Sequence, residues 1–103
     1  MGRYSPQIYA AVAKGDQTRP GVKLGAACID AQIPVQVVAR WLGLTRQGVY
    51  YWFTGVTEVA ERNREKVEKI TNTLLRALDA GALPAENLEA ALAVVEKYKR
   101  RTS

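Results

Sequence analysis

The side chains that enzymes use for covalent or metal chemistry are scarce in this chain of 103 residues. It contains no histidine, one cysteine (Cys28) and two serines. A zinc finger, a His-based catalytic triad and a disulfide framework each need more of these residues. The segment from Gly21 to Gly25 also lacks the Gly-Lys-Ser/Thr run of a nucleotide-binding P-loop. We therefore expect a protein that acts by binding and not an enzyme, with neither a cofactor nor a metal.

Length and composition favour one globular domain. Hydrophobic residues make up 48% of the chain and charged residues 24%, which is ordinary for a folded protein. No segment approaches the roughly 18 to 20 apolar residues that span a bilayer. The N-terminus also lacks the pattern of a secretory signal peptide. These features predict a cytoplasmic protein that does not bind membranes.

Proline and glycine divide the first third of the chain into short helical segments. Ser5 and Pro6 predict the start of a helix, because serine caps helices and proline fits the first turn. A second helix is expected to begin around Arg19-Pro20-Gly21, and Pro34 either ends it or starts the next element. Its apolar residues recur at the spacing of one helical face: Leu24, Cys28 and Ala31.

The stretch from Ile33 to Gly55 has the pattern of two short helices joined by a tight turn. Gly43 stands where a left-handed residue ends a helix at low cost, and Thr45 is a good N-cap for the next one. The expected inward-facing residues are Val38, Ala39 and Leu42, then Leu44 in the turn, then Val49, Trp52 and Phe53. This arrangement predicts a helix-turn-helix.

Five of these residues resemble the phage Cro/repressor-type (lambda repressor-like) helix-turn-helix family. They match the family's small, glycine and apolar positions in register, and they are Ala39, Gly43, Leu44, Val49 and Trp52. The match covers about 22 residues of the chain directly. The resemblance implies sequence-specific binding of double-stranded DNA, with a recognition helix at about residues 45–54 in the major groove.

The same resemblance implies base contacts from Arg46, Gln47, Tyr50 and Tyr51. Arginine can form two hydrogen bonds with guanine, and glutamine can do the same with adenine. Tyr51 matches a base-contacting position, where its ring could cover a thymine methyl group or its hydroxyl could hold a phosphate. The competing interpretation is that Arg46 and Gln47 are ordinary solvated residues and that the tyrosines pack under the C-terminal helices.

Phosphate contacts are expected from Thr45, Arg40, Thr54 and Gln36, which would position the protein without reading sequence. Many members of the family carry glutamine at the first position of the first motif helix, where it holds a phosphate. This chain has Val35 at that position and Gln36 one residue later. The contact expected from Gln36 therefore departs from the family pattern.

The C-terminal part predicts an αα-hairpin of two longer helices, one from Glu58 to Ala80 and one from Leu83-Pro84 onward. Their expected apolar stripes are Val67, Ile70, Leu74 and Leu78, and Leu88, Leu92, Val95 and Tyr98. The hairpin either caps the helix-turn-helix core or mediates oligomerisation. We favour a homodimer, with a tetramer as a second option, because repressor-type modules gain affinity by pairing half-sites.

Three apolar residues are candidates for that interface. Trp41 is large for a position that the family usually leaves polar, and an indole is rarely left bare. We expect it to dock an additional segment of this chain or a second subunit. Leu75 and Val94 lie off the apolar stripes of the hairpin.

Positive charge is concentrated in the first half of the chain. Residues 1–57 hold six Lys or Arg and two Asp or Glu, whereas residues 58–103 hold nine and eight. The net charge of +5 is thus divided into +4 and +1. A basic helix-turn-helix half suits a polyanionic partner.

Together these patterns predict an all-α protein that forms one compact domain. Residues 1–57 would form a helix-turn-helix region of four to five helices, and residues 58–103 the hairpin. The expected function is that of a small phage or bacterial transcriptional regulator that blocks or recruits RNA polymerase. The alternative is a phage helix-turn-helix module that inhibits a host factor or serves packaging or assembly, with weak non-specific DNA binding.

Overall fold

The computed structural model describes residues 4–102, and the side chains of residues 4–99. Residues 1–3 and 103, which the predicted regions 1–57 and 58–103 include, lie outside that description. The described residues form helices and no strands, so the all-α prediction is confirmed. The helices are α1 (Pro6–Lys14), α2 (Pro20–Ala31), α3 (Val35–Leu42), α4 (Arg46–Phe53), α5 (Glu61–Asp79) and α6 (Leu88–Thr102).

Side-chain caps start α1 and α4 where the sequence predicts them. The Ser5 hydroxyl accepts a hydrogen bond from the N–H of Ile8 at 3.3 Å. The Thr45 hydroxyl accepts one from the N–H of Gly48 at 3.1 Å. Each bond satisfies one of the N–H groups that the first turn of a helix leaves without a partner.

The two C-terminal helices begin later than the sequence analysis places them. α5 starts at Glu61 rather than Glu58, because Glu58 pairs with Arg19 and Val59 is buried. The prediction that α6 starts at Leu83-Pro84 is wrong, since the helix starts at Leu88. Leu83 is buried in the core instead, and the Asn87 side chain accepts the N–H of Ala90 at 2.8 Å. A polar N-cap, not the proline, therefore sets this helix start.

Helices α2 and α3 each end at a residue whose backbone has the left-handed conformation. Gly43 has φ 68° and is followed by Leu44, whose N–H donates to the Ala39 carbonyl at 2.9 Å. Gln32 has φ 57°, and the N–H of Ile33 donates to the Cys28 carbonyl at 3.0 Å. Both ends have the hydrogen bonds of the Schellman motif, which satisfy the last carbonyls of a helix. The sequence predicts the end at Gly43 but not the left-handed Gln32.

Helix α2 lies at the centre of the fold. It contacts α1, α4 and α5, and α5 in turn packs against α6. Residues from every described part of the chain join one apolar core, whose largest fully buried members are Phe53, Leu24, Ile33 and Leu74. Helices α5 and α6, here called the hairpin, therefore pack on the N-terminal part of the fold through the contact between α5 and α2.

Two glycines of α2 let α4 approach its backbone closely. A Cβ atom on Gly21 would lie 2.7 Å from the carbonyl oxygen of Trp52. A Cβ atom on Gly25, one turn later, would lie 2.8 Å from Cγ of Phe53. Real Cβ atoms do not tolerate such distances, so any larger residue would push α4 away from α2.

We expect Gly25→Ala to lower the free energy of unfolding by about 1–3 kcal/mol, because the added methyl group would overlap the Phe53 side chain. Gly43→Ala is the matched comparison, since its methyl group would meet open space and only the left-handed backbone is strained. It should cost about 1 kcal/mol. Urea denaturation of the two variants would measure both values. A neutral Gly25→Ala would contradict the close approach of α2 and α4.

Burial raises the pKa of the Cys28 thiol well above its usual range. In the unfolded chain this thiol ionises near pH ~8.5, so above that pH the unfolded state binds fewer protons than the folded state. The free energy of unfolding should therefore fall as pH rises, by up to ~1.4 kcal/mol per pH unit from this group. Urea denaturation between neutral and alkaline pH would show a steeper decline in the natural chain than in Cys28→Ala. Parallel declines would contradict a buried thiol.

Candidate nucleic-acid interface

Helix α4 turns one side to the core and the other to solvent. Its inward residues Val49, Trp52 and Phe53 are 0%, 7% and 0% exposed. At 100° per residue, the remaining side chains occupy an arc of about 140° on the opposite side. That arc carries Arg46, Gln47, Tyr50, Tyr51 and Thr54. The structure thus places all four predicted base-contacting residues on one face of one helix.

Exposure differs among these four residues. Arg46 and Gln47 are exposed in the first turn, and Tyr51 is 40% exposed one turn later. Tyr50 is half-buried and packs against the core. Of the two tyrosines, Tyr51 therefore has the more accessible ring.

Hydrogen bonds hold parts of this surface in place. The Gln47 amide donates to the Tyr51 hydroxyl at 2.8 Å, and the two residues stand one helical turn apart. The Arg46 guanidinium lies 3.5 Å from the side-chain oxygen of Gln36 on α3. These contacts join Gln36 to the first turn of α4, so a predicted phosphate-binding residue and a predicted base-contacting residue are neighbours.

The other predicted phosphate contacts have different surroundings. Arg40 is exposed on α3, and Thr45 is exposed before α4. The Thr45 oxygen already accepts the Gly48 N–H, and its O–H remains available to donate. The Thr54 hydroxyl donates to the Tyr50 carbonyl at 2.8 Å within the helix. A phosphate contact from Thr54 would require that bond to break.

The electrostatics of this face favour an anion. Residues 31–57 contain no Asp or Glu, whereas they include Arg40 and Arg46. The first acidic residue after them, Glu58, has its carboxylate 3.3 Å from the Arg19 guanidinium. Nothing acidic on α3, the turn or α4 would repel a phosphate backbone.

Arg19 is a positioning residue that the sequence analysis does not identify. Its Nη1 donates to the Gly55 carbonyl at 2.9 Å, and its Nε contacts Glu58. The guanidinium therefore ties the loop after α4 to the start of α2. No local pattern announces this contact, because Arg19 and Gly55 are 36 residues apart.

The loop before Arg19 is itself ordered by an acidic turn. The hydroxyl and N–H of Thr18 donate to an Asp16 carboxylate oxygen at 2.6 and 2.9 Å. These bonds, with a smaller contribution from the charge of Arg19, lower the pKa of Asp16. The carboxylate therefore stays ionised and supports the turn that leads into α2.

Tyr4 supports α4 from another side. Its hydroxyl donates to the Ile33 carbonyl, and its ring centroid lies 6.3 Å from that of Phe53 at an angle of 48°. Tyr4 thus links the segment before α1 to the connection between α2 and α3 and to the end of α4. Sequence patterns do not single it out, since it precedes the first helix.

The three predicted interface residues lie in different surroundings. Trp41 is half-buried in a cleft beside Ile70 and Val95, which brings it next to both helices of the hairpin. Leu75 is 39% exposed, and Val94 is half-buried against the core. Neither Leu75 nor Val94 lines the cleft that contains Trp41.

Two further features concern the part of the chain that the structure describes. No three His, Cys, Asp or Glu side chains converge there in a way that could hold a metal ion. None of its helices has the length and apolar character to cross a bilayer.

No protein-family model, curated protein sequence or solved structure matches the chain.

Proposed function

We propose that the protein binds double-stranded DNA sequence-specifically, with α4 as the recognition helix in the major groove. The observation that carries the proposal is the outward face of α4. Arg46, Gln47 and Tyr51 are exposed on this face, and the opposite side of the helix is buried in the core. An α-helix fits the major groove of B-DNA, and the first turn of a recognition helix reaches the base edges. The short connection from α3 to α4 through Gly43 and Thr45 suits a helix-turn-helix.

The polar groups on this face match what base edges offer. The Arg46 guanidinium can donate two hydrogen bonds to guanine O6 and N7. Gln47 uses one amide proton on Tyr51, which leaves its second proton and its oxygen for adenine N7 and N6. The Tyr51 contact would orient the amide before DNA arrives and so reduce the entropy lost on binding.

Phosphate contacts would come from α3 and the turn. Gln36, Arg40 and Thr45 are exposed. Gln36 contacts Arg46 in the first turn of α4, and Thr45 caps that turn. The N-terminus of α4 adds a partial positive charge. Since a protein that neutralises phosphates releases counterions, its affinity falls as salt rises. Bound at an operator, such a protein would act as a small phage or bacterial regulator that blocks or recruits RNA polymerase, and two copies would read paired half-sites.

Arg46→Ala should weaken binding to the preferred duplex by about 1–3 kcal/mol and relax specificity at one base position. Arg62→Ala is the matched control, because Arg62 is exposed on α5 and this substitution removes the same charge. Selection from random duplexes by the natural chain would first give the preferred sequence. Fluorescence anisotropy on that duplex and on its single-position variants would then compare the proteins. Equal weakening on every sequence would contradict a base contact.

Arg40→Gln should instead weaken binding on all sequences to the same extent. It should also reduce the slope of log affinity against log salt by about 1, since one phosphate contact is lost. A salt titration of both proteins on one duplex measures the two slopes. An unchanged slope would exclude Arg40 from the phosphate contacts. Failure of the natural chain to enrich any sequence would favour the protein-binding alternative.

A further inference from the structure

A cleft opens where the last turn of α3 meets α5 and α6. Its volume is about 560 Å³, within the roughly 300–1,000 Å³ of pockets that bind small molecules. The residues that line it come from α3, α5 and α6, and none comes from α4. Its lining also includes none of the α3 residues that we propose to contact DNA, although Trp41 follows Arg40 directly in sequence.

The floor of this cleft is apolar. Trp41 and Ile70 are half-buried, and Val95 is 7% exposed. Thr73 also lines the floor, but its hydroxyl donates to the Lys69 carbonyl at 2.8 Å within α5. Among the described residues, no buried side-chain nitrogen or oxygen lacks a hydrogen-bond partner. The floor thus requires no polar group from a ligand and favours a flat apolar body against the indole.

The rim of the cleft is cationic. Lys66, Lys69 and Lys99 line it, and the one acidic side chain among the lining residues is Glu96. Lys66, Lys69 and Ile70 share one face of α5, because they stand three and four residues apart. The ammonium of Lys69 lies 3.5 Å from Glu65, and its side chain is 71% exposed. A surface pair of this kind is weak, so the ammonium can turn to another anion.

We propose that the cleft binds a small organic anion that has a flat apolar body and a carboxylate or sulfonate group. The body would lie on Trp41, Ile70 and Val95, and the anionic group would contact Lys66 and Lys69. Charge complementarity sets the sign of the ligand, and the volume limits it to a small molecule. A helical peptide needs a groove with anchors along several turns, whereas this floor offers three apolar side chains.

The full-length chain can be tested with two probes that differ by one charged group. Anilinonaphthalene sulfonate carries the anion, and phenylnaphthylamine is the same ring system without it. In proton–nitrogen NMR spectra, saturating anilinonaphthalene sulfonate should shift the indole signal of Trp41. The indole signal of Trp52 should not move, because Trp52 is only 7% exposed. The Trp41→Phe variant assigns the two signals. An unmoved Trp41 signal would overturn the proposal.

The charge requirement is tested by variants on one helix. A Lys66→Gln and Lys69→Gln double variant should weaken anilinonaphthalene sulfonate binding about fivefold and leave phenylnaphthylamine binding unchanged. An Arg62→Gln and Arg64→Gln double variant removes the same charge from exposed positions of α5 outside the cleft and should change neither affinity. Equal losses in both double variants, or equal losses for both probes, would overturn the assignment.

Sedimentation of the free chain tests whether a second copy of the chain occupies the cleft instead. The proposal expects the same sedimentation coefficient with and without anilinonaphthalene sulfonate. Self-association that the probe abolishes would identify a second copy as the occupant and overturn it. None of these three measurements involves DNA, so failure here and failure of the proposed DNA binding are distinguishable.

Discussion

The close approach of α4 to α2 determines which side of α4 faces solvent. Gly21 and Gly25 stand one turn apart and leave no room for a Cβ atom against Trp52 and Phe53. Because the contact involves the backbone of α4, it sets both the depth and the rotation of that helix. Once Val49, Trp52 and Phe53 face inward, the geometry of an α-helix leaves Arg46, Gln47 and Tyr51 facing outward. The exposed polar face of α4 is thus a consequence of two missing side chains on α2.

Two long-range contacts support this arrangement at the ends of α4. Arg19 holds the carbonyl of Gly55 just after the helix, and Tyr4 packs against Phe53 while its hydroxyl binds the Ile33 carbonyl. Each ties α4 to a segment that is distant in sequence. Interaction surfaces gain affinity when they are held in their binding geometry beforehand, because less entropy is lost on binding. The hairpin adds to this rigidity through the packing of α5 on α2.

Local physical chemistry made part of this fold predictable from the sequence. A serine or threonine before a helix and a glycine after one act within a few residues, so Ser5, Thr45 and Gly43 mark ends that the structure has. The start of α6 is not predictable in this way, because Pro84 and Asn87 both suit the beginning of a helix and burial of Leu83 decides between them. The four base-contact candidates were predictable as one face, whereas Arg19 and Tyr4 act across 36 and 29 residues and left no local signal. The glycines of the Gly21–Gly25 segment are explained by packing, which no pattern in one helix reveals.

The polar groups of this fold divide into a set that is used inside the core and a set that faces solvent. The interior uses its polar groups internally: Thr71 and Thr73 donate to carbonyls of their own helix, and burial keeps the Cys28 thiol protonated. What faces solvent on α3 and α4 is a set of guanidinium, amide and phenol groups without a carboxylate between residues 31 and 57. Guanidinium groups donate and never accept, and amides can donate and accept at once. Phosphates offer acceptors alone, and base edges in the major groove offer both donors and acceptors. The proposed DNA face would therefore complement both kinds of group, and the proposed anion site at Trp41 would add a second cationic surface between α3 and the C-terminal helices.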